Sequence, residues 1–156
     1  MRATEAYLWP NPFSFYRTET WPENYRRAFS SSPQFDGSRP LMTWDGDAWE
    51  LNVVGHGLLG SELYLRPRRC GFGVLGSIAF ATAASAVWEY GFEANGVQPS
   101  GVDLWYTPLS GAVLGEGRHL LWQAAGRLSS PLLRGVVRAL VDPVGEFSTT
   151  LVDSPC

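Results

Sequence analysis

Hydrophobic side chains in the middle of the chain recur at helical spacing. The positions at three- and four-residue steps are Trp49, Val53, His56, Leu59 and Leu63. This spacing predicts a helix over residues 47–65. We expect Pro67 to end it, because proline cannot donate a backbone hydrogen bond.

Helix-start signals mark two amphipathic segments outside this region. Thr20, followed by Pro22 and Glu23, predicts a short helix over residues 20–30. Ser130 and Pro131 predict a last helix that ends before Asp142. Leucine and valine lie on one side of that last helix, and arginine lies on the other.

Two long stretches between these helices are also predicted to be helical. Residues 71–88 carry no charge, so they suit either a short bilayer span or the buried central helix of a bundle. Ser100 predicts the start of a helix that reaches residue 126, with a kink or a fresh start at Pro108.

These elements predict an all-α fold, because no strand pattern or internal repeat is present. We expect a compact bundle of four or five helices with an irregular, aromatic N-terminal arm. The predicted divisions are an arm with one short helix and a linker over residues 1–40, a helical core over residues 41–147, and a tail over residues 148–156.

The composition indicates which side chains form the surface. Of 156 residues, 17% are charged and 13% aromatic, so much of the surface must be apolar or aromatic. The formal net charge is −3, and the only basic cluster is formed by Arg66, Arg68 and Arg69. We therefore expect no nucleic-acid partner.

Glycines predict close helix packing. Gly55 and Gly60 lie inside a predicted helix, where each is unfavourable relative to alanine unless another backbone approaches closely. Gly111 and Gly115 have the small-xxx-small spacing that suits tight helix crossing. We expect all four to pack against neighbouring helices.

Polar residues form a stripe on each of two predicted helices. Asn52 and His56 share one face of the first, and Thr82, Ser85 and Glu89 share one face of the second. Buried and unpaired, such groups would be costly, so we predict one buried polar layer with Glu89 near His56. The layer is either an acid–base pair, or half of a metal site, or a hydrogen-bonded layer that fixes helix register.

Carboxylates close to these stripes in the sequence suit helix caps or the polar layer. Asp103 either caps the helix that begins at Ser100 or adds a third carboxylate to the layer. Asp45 or Asp47 is expected to cap the helix that follows them. The sequence contains no complete metal, phosphate-loop, nucleophile-elbow or dinucleotide motif, so we expect no metal and no cofactor.

Three segments together resemble a bacterial family of unknown function, domain of unknown function 3943. They are WDGDAWELNVVGHGLLG (44–60), SAVWEYGFE (85–93) and PSGVDLWYTPLSGAVLGE (99–116). A looser similarity extends to VanZ-like envelope proteins. The resemblance implies a helical, envelope-associated module without established activity. The matching polar positions are Asp45, Asp47, Asn52, His56, Glu89, Ser100, Asp103 and Glu116.

The leading expectation is a non-enzymatic, membrane-associated module of the bacterial cell envelope. Its partners would be the lipid bilayer or a membrane protein assembly, which it could join as a hetero-oligomer through residues 1–40. The alternative is an envelope hydrolase or lipid-modifying enzyme. In that enzyme His56 would be the base, Glu89 would orient it, and Asp103 would be a second acid.

Overall fold

The structure, a computed structural model, describes residues 18–152. Within this range the fold is all-α, as predicted. The pairing of extended backbone that it contains is a single bridge between Gln34 and Ser100. Residues 1–17 of the predicted arm and 153–156 of the predicted tail lie outside the described range, so the expected partner contacts of the arm stay a prediction.

Most of the described chain is helical. The α-helices are α1 (Trp21–Ser30), α2 (His56–Arg69), α3 (Val74–Val87), α4 (Gly101–Ser110), α5 (Glu116–Ala125), α6 (Pro131–Val141) and α7 (Pro143–Val152). Short 3-10 turns cover Thr18–Thr20 and Glu93–Asn95. π-Helical turns lie before α2 (Leu51–Gly55), after α3 (Trp88–Phe92) and between α4 and α5 (Gly111–Gly115).

Two of the three helix-start signals act as the sequence indicated. At Thr20, the third, α1 begins at Trp21, but the Thr20 side chain makes no capping hydrogen bond. The Ser100 hydroxyl accepts a hydrogen bond from the Asp103 backbone N–H, and the Ser130 hydroxyl accepts one from Leu133. Each satisfies a backbone donor that has no partner inside its own helix. Ser100 and Ser130 therefore fix where α4 and α6 begin.

Pro67 was expected to end its helix, and it does not. At Pro108 the expected fresh start does not occur, and the expected kink stays a prediction. Pro67 lies inside α2, which runs on to Arg69, and Pro108 lies inside α4. The end of α2 is held by ion pairs from Arg68 to Glu116 and from Arg69 to Asp142. These contacts offset the backbone hydrogen bond that proline removes.

The predicted boundary between core and tail, at residues 147 and 148, falls inside α7, which extends to Val152. Asp142 starts this helix: its side chain accepts from the Gly145 N–H at 2.9 Å, and its carbonyl accepts from Glu146 at 3.0 Å. An acidic cap followed by Pro143 is a helix-start signal that the sequence interpretation missed.

Helix α2 packs against α3, α4 and the π turn Gly111–Gly115. At Gly60 an added Cβ would overlap the Thr107 carbonyl, and at Gly111 it would stand 2.5 Å from the Gly60 carbonyl oxygen. At Gly115 it would stand 2.9 Å from Tyr64 Cβ. Gly55, by contrast, meets only Leu51 of its own helical stretch within 4 Å. The close crossing therefore depends on three of the four expected glycines.

Many polar side chains are buried, and many large apolar side chains are exposed. Along α3 the buried positions are Ser77, Ala81 and Ser85, whereas Leu75 is 82% exposed. Tyr64, Leu65 and Val102 are the larger apolar side chains that are fully buried in the described part of the chain. In that same part, no helix combines the length and apolar character needed to cross a membrane.

The close crossing of α2 and α4 predicts how a substitution at Gly60 changes stability. Gly60→Ala should lower the free energy of unfolding by about 1–3 kcal/mol or more, because the added methyl would force α2 and α4 apart. Gly117→Ala is the matched control: Gly117 is helical and has nothing within 4 Å of the added Cβ. It should be neutral or stabilising by up to about 1 kcal/mol. Denaturant unfolding of both variants measures this, and equal effects would contradict a tight crossing.

Candidate functional site

Asp45 joins three elements of the fold at the N-terminal end of α2. It is buried, and its Oδ1 accepts from Asn52 Nδ2 at 2.8 Å while its Oδ2 accepts from Ser100 Oγ at 2.6 Å. Asp45 Oδ1 also accepts from the Asp47 N–H at 3.1 Å, in a turn where Gly46 has a φ of 103°. Asp45 was expected to cap a helix, but it links the loop to Asn52 and α4.

His56 has a carboxylate partner, but not the predicted one. Its Nε2 lies 3.2 Å from Asp103 Oδ2, and its Nδ1 lies 3.2 Å from Thr107 Oγ1. Asp103 and Thr107 are one turn apart on α4, so one face of that helix contacts both ring nitrogens. The predicted pairing of His56 with Glu89 is therefore wrong. Of the two interpretations of Asp103, its side chain joins the layer through His56. It does not cap α4: Ser100 Oγ accepts from the Asp103 N–H, and Glu89 accepts from the Ser100 N–H.

Glu89 instead binds the start of α4. Its carboxyl group accepts from the Ser100 N–H at 2.7 Å, and its side chain is buried. Ser85, one turn earlier, donates to the Asp103 carbonyl at 3.1 Å. Glu89 thus remains in the buried layer, next to Ser100 rather than to His56.

Thr82 does not belong to the layer. It is exposed, and its hydroxyl donates to the Ile78 carbonyl of its own helix. The buried face of α3 follows four-residue steps through Ser77, Ala81 and Ser85, so Thr82 falls one position out of phase. We call the set that the structure brings together the polar cluster: Asp45, Asn52, His56, Ser85, Glu89, Ser100, Asp103 and Thr107.

Burial sets the protonation of this cluster. It raises the pKa of Glu89 to about 9, and the charge of Glu93 adds to the rise. Burial, followed by the charge of Asp45, raises the pKa of Asp103 to about 8. Burial also lowers the pKa of His56, partly opposed by Asp45. Near neutral pH these pKa shifts favour the uncharged forms of both groups, the carboxylic acid of Asp103 and the neutral imidazole of His56.

Two oxygens of the cluster keep unused hydrogen-bonding capacity. Asn52 Oδ1 and Asp103 Oδ1 are buried and have no hydrogen-bond partner. Across residues 18–152, no group of three or more histidine, cysteine or acidic side chains is arranged to hold a metal ion. The groups that the cluster does bring together can form hydrogen bonds and transfer protons.

A polar cleft of about 450 Å³ opens over one edge of the polar cluster. Asp45 and Ser100 contribute to its lining, together with Asp47 and Glu93 and the arginines Arg27 and Arg39. His56 and Asp103 are not part of this lining, but the Asp103 N–H donates to Ser100 Oγ, which links them to it. The cleft thus contacts the polar cluster through Asp45 and Ser100.

Glu116 lies at the other end of α2, away from the polar cluster. It accepts from Arg68 at 2.8 and 2.9 Å and from Tyr64 Oη at 2.7 Å. The hydrogen bond from Arg68 is the main reason that the pKa of Glu116 falls to about 2. Glu116 therefore holds α5 against α2.

Comparison with known proteins identifies the family. The profile of a domain of unknown function, DUF3943, matches residues 41–144. The chain belongs to the DUF3943 family. No curated protein and no solved structure matches, and the looser similarity to VanZ-like proteins stays a prediction.

The DUF3943 region contains the whole polar cluster, including two residues whose roles the sequence interpretation missed. Asp45 is the central acceptor, and Thr107 is a partner of His56. The four-residue step from Asp103 to Thr107 was a usable signal, because it places both side chains on one face of α4. No local pattern indicated that Asp45 would reach across to Ser100.

The raised carboxyl pKa values predict a pH-dependent stability. A carboxyl whose pKa is raised on folding stabilises the fold below its unfolded value, and this contribution is lost as the pH rises toward the folded value. The melting temperature should therefore fall between pH 5 and about pH 9, the pKa of Glu89. Glu89→Gln keeps an acceptor for Ser100 and should flatten this fall. Glu50→Gln, at an exposed position, is the control, and an unchanged slope in Glu89→Gln would contradict the assignment.

Proposed function

We propose that this DUF3943 protein is a non-enzymatic, membrane-associated helical module of the bacterial cell envelope. It would serve as a structural component or as a subunit of a larger membrane assembly. One observation carries the proposal: many large apolar side chains are exposed on the helices, while polar side chains outnumber apolar ones among the buried residues that the structure describes. This is the reverse of the distribution expected for a freely soluble domain.

The exposed apolar surface is extensive. Leu75, Leu132 and Leu140 are 82%, 78% and 79% exposed, and large apolar side chains are exposed on every helix from α1 to α7. Soluble monomers rarely expose contiguous apolar patches beyond a few hundred Å². Transfer of one such side chain out of water gains roughly 1.5–3 kcal/mol. Contact with lipid or with an apolar protein partner would therefore be strongly favourable.

The interior supports the same proposal. Where lipid surrounds helices, apolar burial cannot drive them together, and association depends on small residues and on hydrogen bonds between helices. The crossing of α2 with α4 is built from Gly60 and Gly111. Hydrogen bonds that Asn52 Nδ2 and Ser100 Oγ donate to the Asp45 carboxylate join the loop, the π turn and α4.

The polar cluster has a structural explanation within this proposal. Its hydrogen bonds run between α2 and α4 at His56, and between α3 and α4 at Ser85. A buried polar network that requires specific partners fixes the register of the helices that carry it. The cluster would thus determine which faces of the three helices meet.

Cell fractionation tests the proposal. The full chain, expressed in a bacterial host, should stay with membranes after washing with carbonate. Recovery as a monodisperse monomer in low salt without detergent would contradict membrane association.

A charge on the apolar exterior should weaken this retention. Leu58→Asp combined with Leu75→Asp places two carboxylates at exposed apolar positions, where burial against lipid would be costly. We expect the membrane-bound fraction to fall several-fold, as measured by immunoblotting. Thr18→Asp, at an exposed polar position, is the control and should be retained like the wild type.

A second candidate function is an envelope hydrolase or lipid-modifying enzyme. The observation that favours it is the contact between His56 and Asp103 beside a polar cleft. In this arrangement Asp103, rather than Glu89, would orient the imidazole, and Asp45 and Ser100 would face the substrate.

Enzyme activity would separate the two candidates. If the protein is an enzyme, Asp103→Asn should abolish hydrolysis of phospholipids or acyl esters while the protein remains folded by circular dichroism. Glu116→Gln, outside the polar cluster, should retain that activity. Absence of any turnover by wild-type protein in detergent micelles would count against the enzyme.

A further inference from the structure

Cys70 follows directly after α2, and in the structure it is disulfide-bonded. It is exposed, in the turn to α3 where Gly71 has a φ of 87°. The sequence contains one other cysteine, Cys156, which lies outside the described residues. Within this sequence, Cys156 is therefore the one partner that could form the bond.

The chain that follows α7 is long enough to return to Cys70. Glu146, in the first turn of α7, has its Oε1 3.7 Å from Nη2 of Arg69, the residue before Cys70. The helix advances by about 9 Å from Glu146 to Val152, where the described residues end. Residues 153–156 can extend over up to about 14 Å. Covalent geometry thus allows Cys156 to reach the end of α2.

Polar contacts rather than apolar burial attach the α6–α7 pair to the rest of the fold. No residue of α6 is buried. Asp142, between the two helices, pairs with Arg66 and Arg69 of α2, and Arg118 of α5 donates to the Val141 carbonyl at 2.8 Å. A covalent bond from α2 to the chain after α7 would add a constraint that apolar packing does not supply.

We infer that Cys70 and Cys156 form a disulfide within one chain, and that this bond fastens the α6–α7 pair to the end of α2. The bond closes a loop that contains α3 to α7. Closing so long a loop removes many conformations from the unfolded chain, which stabilises the folded one. The inference goes beyond the proposed function, because it does not depend on contact with a membrane.

Formation of this bond is an oxidation by thiol–disulfide exchange. The thiolate of one cysteine attacks the disulfide of an oxidant, and the second cysteine then displaces the oxidant from the mixed disulfide. The two protons and two electrons lost by the cysteines end on the two thiols of the reduced oxidant. Disulfide oxidants of this class act in the bacterial periplasm, whereas the cytoplasm keeps thiols reduced. The chain would therefore acquire the bond outside the cytoplasm.

Thiol counting on the purified full chain tests the bond. The reduced chain is incubated with glutathione and glutathione disulfide, denatured, and treated with a maleimide reagent that adds a visible mass to each free thiol. We expect no addition to the oxidised chain and an addition to both cysteines after reduction. The oxidised chain should migrate as a monomer, and its mass should fall by two hydrogen atoms.

Thermal melting tests whether the bond fastens the fold. Reduction of the wild type should lower the melting temperature by roughly 5–15 °C. Cys70→Ser, Cys156→Ser and the double variant should all melt like the reduced wild type, because each lacks the same bond. Reductant should not shift them further. Ser154→Ala, which keeps both cysteines, is the matched control and should behave like the wild type.

Export tests the compartment. The full chain, sent to the periplasm of a bacterial host by an added export signal, should have no free thiol when it is trapped with acid and alkylated. In a host without its periplasmic disulfide oxidant, both cysteines should be alkylated. Free thiols on the exported chain in the normal host would contradict formation of the bond in this compartment.

Several results would overturn the inference. These are two free thiols after oxidation, glutathione on each cysteine in place of the internal bond, and a melting temperature that reduction does not change. A dimer that reductant separates would assign Cys70 to a second copy of the chain. Release of wild-type protein by carbonate washing would contradict the proposed function and leave the disulfide unaffected.

Discussion

The rest of the structure depends on the close approach of α2 to α4 at Gly60. Because no Cβ separates these backbones, the Thr107 carbonyl can lie against α2. One turn away, His56 then reaches both Asp103 and Thr107. A wider separation would leave the imidazole and a buried carboxyl without each other, which costs several kcal/mol at such a site. The contacts of the polar cluster therefore depend on the close packing at Gly60.

The same constraint explains the apolar exterior. Helices that meet through glycine, serine and alanine have little room for leucine between them, so the larger side chains point outward. On α3, the side chains of Ser77, Ala81 and Ser85 are buried in the protein. Those of Leu75 and Phe80 are exposed. In water such a surface would be a liability, and against lipid it would be stabilising. The small side chains of the interior therefore determine which side chains form the surface.

Sequence patterns predicted local features, such as helix caps, better than they predicted which side chains contact one another. Ser100 and Ser130 could be recognised as helix caps because capping depends on neighbours along the chain. The partner of His56 could not be identified, because periodicity shows which face a residue occupies and not which helix packs on it. Pro67 was misjudged for a related reason, since the ion pairs that hold the end of α2 come from distant residues.

The π turn Gly111–Gly115 has a consequence for sequence change in this family. A π turn holds one residue more than the α-helical turn it replaces, and the wider turn absorbs that residue, so the helix beyond it faces the same way as after a regular turn. Losing one residue here would restore a regular helix and leave Glu116 and Arg118 facing Arg68 and Glu62. Losing one residue from a regular turn would instead rotate everything beyond it by about 100°. We therefore expect a one-residue change in length to be tolerated better at this turn than within α4 or α5, provided that the two glycines at its ends are kept.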